Sequence, residues 1–437
     1  MSHFSALKNS LTLIFDRFFL MALTFTSNVV IARIGGVELF GQYSMLLAYV
    51  TLFSPLCIFG LNNIATHAFL KYPARSHLYM RAAIRIRLFG ALLSVLIGTV
   101  LSLFLFPEYS LIVIALLAAQ AFTCAYVIEF YFIAKEQAKV PARTRLVVLS
   151  LLSAVKIAAV FIFADVWLLL AITAVEFVAV ASVFYWLYAK ERKEHRLVPR
   201  DRKVPKKLYV VFLSRSKWLL LSGLAAIIYL KIDQVMLGLM GDETSVALYA
   251  AAIKLSEFWF VLPVLAVNGL SSLIFRAKKR GEEHFNQLLQ RILGLFFVLS
   301  VAIVLITVIS SDLLIELLFG EQFALSASIL QIHIISVFFV FIRAVFSKWL
   351  IYKNLLAFSL ASHLLGAVTN VLLNLYLIPH YGALGAAWAT VLAYAVSGYF
   401  ALWFFSDTRP FAKLAFVSLI GAPSSLKMVI KKKHFND

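Results

Sequence analysis

The chain reads as an all-α integral membrane protein, with about twelve transmembrane helices in two six-helix lobes. Three observations carry that reading. Of its 437 residues, 62% are hydrophobic and only 14% charged, less charge than a soluble protein of this size carries. Its mean hydropathy is +0.93, and many of its apolar runs approach the roughly 20 residues that cross a bilayer as a helix. The period-2 alternation of a membrane β-barrel is absent.

The spans follow in order. The first, 12–32, ends at Arg33-Ile34-Gly35-Gly36, and the second covers 41–63. Span 88–106 stops at Pro107-Glu108, and 109–133 returns to a basic segment. Spans 145–163 and 166–189 are separated only by Ala164-Asp165. In the second half come 216–240, 245–274, 292–310 and 325–350, then 355–379 and 383–405 around His380-Tyr381-Gly382. Such short connections leave no room for a soluble domain on that side. The stretch Leu414–Gly421 is too short to span and reads as interfacial.

Charge sets the orientation. The net charge is +19, which could signal nucleic acid. Basic loops on one side of a membrane account for it better, and no nucleic-acid partner is expected. Lys71, Arg75, Arg81, Arg85 and Arg87 lie in segment 64–87, and Lys135, Lys139, Arg143 and Arg145 in 134–145. Segments 190–208 and 276–291, Lys8, Lys348, Lys353 and the tail add to that side. Opposite stand Arg33 and a set of acids: Glu38, Glu108, Asp165, Asp242, Glu243, Asp312, Glu316 and Glu321. Both termini are therefore expected to be cytoplasmic. No cleavable signal peptide is evident, and Cys57 and Cys124 lie in apolar runs as small buried hydrophobes.

The polar stretch 190–208, "KERKEHRLVPRDRKVPKK" over 190–207, divides the chain. It gives an N-terminal lobe over 1–189, a basic cytoplasmic linker over 190–208, a C-terminal lobe over 209–406 and a cytoplasmic tail over 407–437. The linker reads as a solvated basic loop, with anionic headgroups within its reach. The halves also align. "VVIARIGGVELFGQYSMLLA" (29–48) lies ungapped on "VMLGLMGDETSVALYAAAIK" (235–254), with Gly35 on Gly241 and Tyr43 on Tyr249. Six spans per half predicts a parallel repeat about an axis along the membrane normal, enclosing a central cavity.

Charges inside the spans carry the functional reading. A charge at bilayer depth costs roughly 2.5–3.5 kcal/mol on insertion scales. Asp16, Arg17, Glu129, Arg215 and Lys217 lie near cytoplasmic ends, where long side chains snorkel. Lys231, Asp233, Lys254 and Glu257 fall in one layer about 15 Å from the outer surface at 1.5 Å per residue. Lys254 and Glu257, three apart, share a face. Lys231 and Asp233, two apart, point differently, so one of them needs a partner on another helix. Lys156 and Glu176 occupy a similar layer in the first half, and Arg343 lies slightly nearer the cytoplasm. Two readings stand: ion pairs that fix helix packing, or a hydrated cavity that accepts an anion and whose carboxylates bind H⁺ or Na⁺. Arg33, beside Gly35 and Gly36, is a phosphate contact or a rim ion pair.

Other chemistry is missing. No phosphate-binding G-x-x-x-x-G-K-[ST] loop and no His/Cys cluster of metal spacing occurs. The outer loops are too short for a polymerase or ligase site, so no enzyme and no cofactor beyond a coupling ion is expected.

Four stretches carry a resemblance. "VVIARIGGVELFGQYSML" (29–46), "YLKIDQVMLGLMGDETSVALYAAAIKLSEFWFVLP" (229–263), "LFGEQFALSASIL" (318–330) and "NVLLNLYLIPHYGALGAAWATVLAY" (370–394) resemble the Wzx-type polysaccharide or O-antigen flippases. The most specific matches are Asn374, Pro379, Gly382, Gly385, Ala386, Ala387 and Thr390. The wider group is the multidrug/oligosaccharidyl-lipid/polysaccharide exporter superfamily. The resemblance implies a MATE-like fold and a multi-pass protein of the bacterial inner membrane. It also implies alternating-access transport of undecaprenyl-diphosphate-linked oligosaccharide, as in lipopolysaccharide biosynthesis, driven by H⁺ or Na⁺. Carried over residue by residue, Lys231, Lys254, Arg343, Arg33 and Lys156 would bind substrate, and Asp233, Glu257 and Glu176 would couple ions. A monomer is expected, with membrane lipids, a polysaccharide polymerase and a chain-length regulator as partners. A MATE-like small-molecule exporter is the alternative, and a membrane-embedded polymerase or ligase a more distant one.

Overall fold

The computed structural model describes residues 3–194, 204–355 and 357–420. The centre of the basic linker and the end of the tail, 195–203 and 421–437, lie outside the described residues. All regular structure described is helical: α1 (His3–Leu52), α2 (Ser54–Ile58), α3 (Asn62–Lys71), α4 (Ser76–Leu105), α5 (Ser110–Ala121), α6 (Val127–Ala134), α7 (Lys139–Ile162), α8 (Val166–Glu194), α9 (Lys206–Met240), α10 (Glu243–Gly269), α11 (Ser271–Arg280), α12 (Glu282–Phe319), α13 (Ser326–His333), α14 (Ser336–Lys353), α15 (Ala357–Gly398) and α16 (Arg409–Ile420). Short 3₁₀ turns join several of them.

Ten helical stretches among the described residues are long and apolar enough to cross a membrane. Two of these double back. In α15, Gly382 has φ +53° and ψ −131°, a left-handed backbone that glycine adopts without penalty. The arms on either side run antiparallel. A Cβ on Gly366 would meet Ser397, and one on Gly385 would lie 2.3 Å from the Leu377 carbonyl. Asn370 reaches Thr390 between those pairs. In α1 the break is Gly36, at φ +82° and ψ 178°. Asp16 binds Arg145 and Tyr43 binds Lys156. A straight α1 would hold its two contact residues about 40 Å apart, while Arg145 and Lys156 on α7 are about 16 Å apart. The chain therefore reverses at Gly36, and the stretches resolve into the twelve spans expected.

Within the spans the helices are less continuous than hydropathy suggests. Span 41–63 is broken after Leu52. Pro55 opens the short α2, and Phe59 and Gly60 take left-handed φ of 52° and 63° before α3. Gly90 lets α4 lie against α2, because a Cβ there would stand 2.2 Å from the Leu56 carbonyl. Span 109–133 passes through a 3₁₀ turn at Phe122–Tyr126, and span 325–350 is α13 plus α14. The Leu414 region belongs to α16, which buries Phe411 and Ala415 against α12 and α14.

The chain divides into two compact units, Met1–Ile227 and Ile228–Asp437, with the boundary inside α9. The first has a core of Phe69, Met80, Tyr131, Phe184 and Phe212. The second has its own, around Phe285, Phe341, Phe346, Trp349 and Phe411. Lipid-level surfaces are apolar, with Phe104 and Ile309 about 80% exposed, as a bilayer-facing helix requires.

Candidate functional site

In the second unit the two charges of "YLKIDQVMLG" part company. Two residues apart on α9, they project in different directions. Asp233 is 1% exposed and points into the unit. Tyr249 Oη donates to its Oδ2 at 2.6 Å and Asn374 Nδ2 to its Oδ1 at 2.6 Å. Thr390 Oγ1 also donates to Oδ2. Asn370 backs the ring by accepting from Asn374 and reaching Thr390. The carboxylate is thus held by neutral donors from α10 and both arms of α15, with no basic side chain paired to it among the described residues. Among the described residues, Asn374 Oδ1 is a buried acceptor without a donor.

Lys231 turns instead toward α10, its ammonium 3.2 and 3.4 Å from the two carboxylate oxygens of Glu257. This pair is partly exposed, at 17% and 26% of its side-chain surface. Lys254 lies one turn before Glu257 and makes no ion pair or hydrogen bond among the described residues. Two bases and one acid leave this group with an uncompensated positive charge. His333 backs the layer from α13, its Nδ1 2.7 Å from Ser256 Oγ and its ring edge-on to Tyr249.

Arg343 is held elsewhere in the unit. Its guanidinium donates to Ser362 Oγ at 2.6 Å, the Ser397 carbonyl at 3.0 Å and Ser359 Oγ at 3.1 Å. That cage ties α14 to both arms of α15 and uses all neutral acceptors. Tyr229 Oη lies 2.8 Å from His363 Nδ1 and stacks edge-on with Tyr394.

In the first unit, Lys156 Nζ lies 2.9 Å from Glu176 Oε1, at 7% and 16% exposure. It also donates to Tyr43 Oη at 3.4 Å, and Tyr43 is 3.4 Å from Thr173 Oγ1. Near the other end of α7, Arg145 bridges Asp16 of α1 and Glu129 of α6. Asp16 and Glu129, which the sequence places near cytoplasmic ends, are joined through Arg145, which it places in a loop segment. Arg87, also counted there, is 1% exposed and donates to Asn62. Arg33 is exposed on the arm of α1 that precedes Gly36.

The structure therefore brings Lys231, Lys254 and Glu257 together, sets Asp233 in a neighbouring network of the same helices, and gives Arg343 and Lys156–Glu176 surroundings of their own. Sequence reasoning centred on charge passed over Asn370, His333 and His363. Tyr249 carried a signal in the internal repeat, and Asn374 and Thr390 in the family-like stretch.

Residues 6–258 match the family model described as "Polysaccharide biosynthesis protein", and residues 219–376 match the MatE model. Among solved structures, the lipid II flippase MurJ in an inward closed conformation superposes with a TM-score of 0.68 at 17% identity, covering 98% of this chain and 93% of that one. An inward-facing multidrug resistance MATE family transporter of the MOP superfamily gives 0.65 at 15% identity, covering 94% and 95%. A mutant of the Vibrio cholerae MATE transporter VcmN gives 0.61 at 16%, covering 94% and 98%. At such identities the likeness establishes the fold. No curated protein sequence matches the chain.

Proposed function

The chain belongs to the polysaccharide biosynthesis protein family, and from that premise we propose that it is a flippase for undecaprenyl-diphosphate-linked oligosaccharide, working by alternating access in a bacterial inner membrane. The observation that carries the reading is the uncompensated charge of Lys231, Lys254 and Glu257 at mid-span in a partly exposed position. A diphosphate cannot enter hydrocarbon unaided. Fixed ammonium groups at that depth offset its desolvation, while the lipid tail stays in the bilayer.

The geometry suggests how substrate and ion are linked. Glu257 occupies Lys231 when substrate is absent. An arriving diphosphate competes for the same ammonium and leaves Glu257 without its partner. A carboxylate stripped of its cation at this depth takes up a proton or Na⁺ more readily. Asp233, ringed by neutral donors, is the second acid suited to that task. The basic side is taken as cytoplasmic by the positive-inside rule.

The test is flipping of a labelled lipid-linked oligosaccharide in proteoliposomes. Lys231→Ala with Lys254→Ala is expected to lower the rate at least tenfold, and an unchanged rate would sink the cationic-site reading. Glu257→Gln is expected to leave flipping indifferent to pH and Na⁺ gradients. If the wild-type protein ignores both gradients, ion coupling fails. The MatE match over 219–376 favours a second reading, ion-coupled export of a small molecule. Export of a soluble small molecule without lipid flipping in the same vesicles would select it.

A further inference from the structure

On the basic side of the first unit, the chain forms a groove of about 410 Å³ between α3, the turn that follows it and the first turns of α9. Lys71, Arg75, Lys207 and Arg215 stand around it, all exposed. Among the described residues no carboxylate pairs with any of them. The floor is apolar, formed by Ala68, Leu208 and Phe212. One wall is aromatic. Tyr72 and Tyr79 stack with ring centroids 5.4 Å apart and planes 1° from parallel, and Lys71 lies over Tyr72 at 5.5 Å. The two sides are fastened to each other, because Arg85 donates to Tyr209 Oη at 2.8 Å and Tyr79 packs on Phe212.

Loop cations placed only to orient a protein have no need of a concave, aromatic-walled setting. Four cations in one groove, with no carboxylate partner among the described residues, repel each other, and an anion between them removes that repulsion. The apolar floor suits an acyl or prenyl chain rather than a soluble ion. One phosphate would leave most of the charge unmet. Basic pockets of this kind, at the headgroup level of membrane helices, take multiply charged lipid heads.

We propose that this groove is a binding site for a lipid bearing two phosphates on one headgroup. Cardiolipin and a polyprenyl diphosphate share that chemistry. The site stands on the first unit alone, and its test reads binding, so it survives or falls independently of the transport reading.

The experiment is lipid retention by the full-length protein in detergent, measured by native mass spectrometry. The probes are cardiolipin, undecaprenyl diphosphate and phosphatidylglycerol, each added separately. Retention of at least one two-phosphate lipid tenfold above phosphatidylglycerol is expected, and competition between the two shows which source the groove prefers. The quadruple change Lys71→Ala, Arg75→Ala, Lys207→Ala, Arg215→Ala is expected to abolish that preference. The charge-keeping Lys71→Arg, Arg75→Lys, Lys207→Arg, Arg215→Lys protein is expected to keep it. All four side chains are exposed, so thermal midpoints of both variants should stay near wild type. Equal retention of phosphatidylglycerol by the wild type, or an undiminished preference in the quadruple alanine protein, would overturn the proposal.

Discussion

Tyr43 and Tyr249 occupy the same place in the internal repeat, and their surroundings differ in net charge. Each tyrosine is buried, at 3% and 1% exposure, and each reaches a threonine on the last span of its half, Tyr43 to Thr173 and Tyr249 to Thr390. Around Tyr43 the polar group is Lys156 with Glu176, a buried ion pair whose charges cancel. Around Tyr249 it is Asp233 alone, held by Asn374, Thr390 and the tyrosine itself. The same scaffold position thus holds a compensated pair in one unit and a lone carboxylate in the other. A compensated pair resists any change of charge state. A lone carboxylate in neutral surroundings can gain a proton and keep its hydrogen bonds, because asparagine amides and hydroxyls rearrange to suit either form.

That contrast breaks most visibly through Asp233. Asp233→Ala removes the acceptor shared by Tyr249, Thr390 and Asn374, which keep only their bonds to each other and to Asn370, at about 1–3 kcal/mol for each donor left without an acceptor. A large fall in thermal midpoint in detergent is expected. Asp233→Asn keeps an acceptor and removes the charge, so the midpoint should return close to wild type while gradient-dependent flipping is lost. Should the asparagine protein be as unstable as the alanine one, the carboxylate is structural and not a switch.

The first unit should behave the other way. Lys156→Met leaves Glu176 half-buried and uncompensated, at up to about 3–5 kcal/mol, the cost of breaking a fully buried pair. Adding Glu176→Leu removes the orphaned charge and should recover most of that loss, as apolar replacement of whole buried pairs does. Thermal midpoints of the single and double variants check this. No rescue in the double variant would mean that Tyr43 and Thr173 depend on the pair for position.

How much of this was legible in the sequence differs by level. The spans were, because a bilayer forces long apolar runs, and the reversals fall where Gly36 and Gly382 stand. The divergence of Lys231 and Asp233 was also legible, since residues two apart on a helix cannot face one way. Their partners were not. Glu257 and Lys254 share a helix face, yet only Glu257 reaches Lys231. The donors to Asp233 include Asn374 and Thr390, some 140 to 157 residues away. Hydropathy averaging hid the break at Phe53–Leu61, where Pro55 and the left-handed Phe59 interrupt an otherwise apolar run. It also hid Arg87, which looked like one more loop cation. Its partner Asn62 is neutral and 25 residues back, and a neutral partner leaves no charge pattern to read.

The units also differ in how they turn at the aligned break. The first uses Gly36 at φ +82°. The second uses Asp242, extended at φ −140°, whose Oδ1 accepts the Ser245 N–H at 2.7 Å and caps α10. Gly36→Ala forces a side chain into a backbone region that costs of order 1–3 kcal/mol, and a matching fall in thermal midpoint is expected. Asp242→Ala removes a cap worth about 1 kcal/mol, the smaller effect of the two. The cap also titrates. The Ser245 backbone N–H, which bonds the charged form, holds the Asp242 carboxyl below its ordinary value. Its stabilisation is therefore full above the unfolded carboxylate value of about 3.9, and is lost as pH falls through the lower folded value. Asp242→Asn keeps a capping oxygen and cannot titrate. Wild type should hold a small advantage over it at pH 7 that disappears towards pH 3. Gly36 offers nothing to titrate, so the Gly36→Ala deficit should be the same at both pH values. A deficit at Gly36 that changed with pH in step with the Asp242 effect would show that the two breaks are coupled rather than independent.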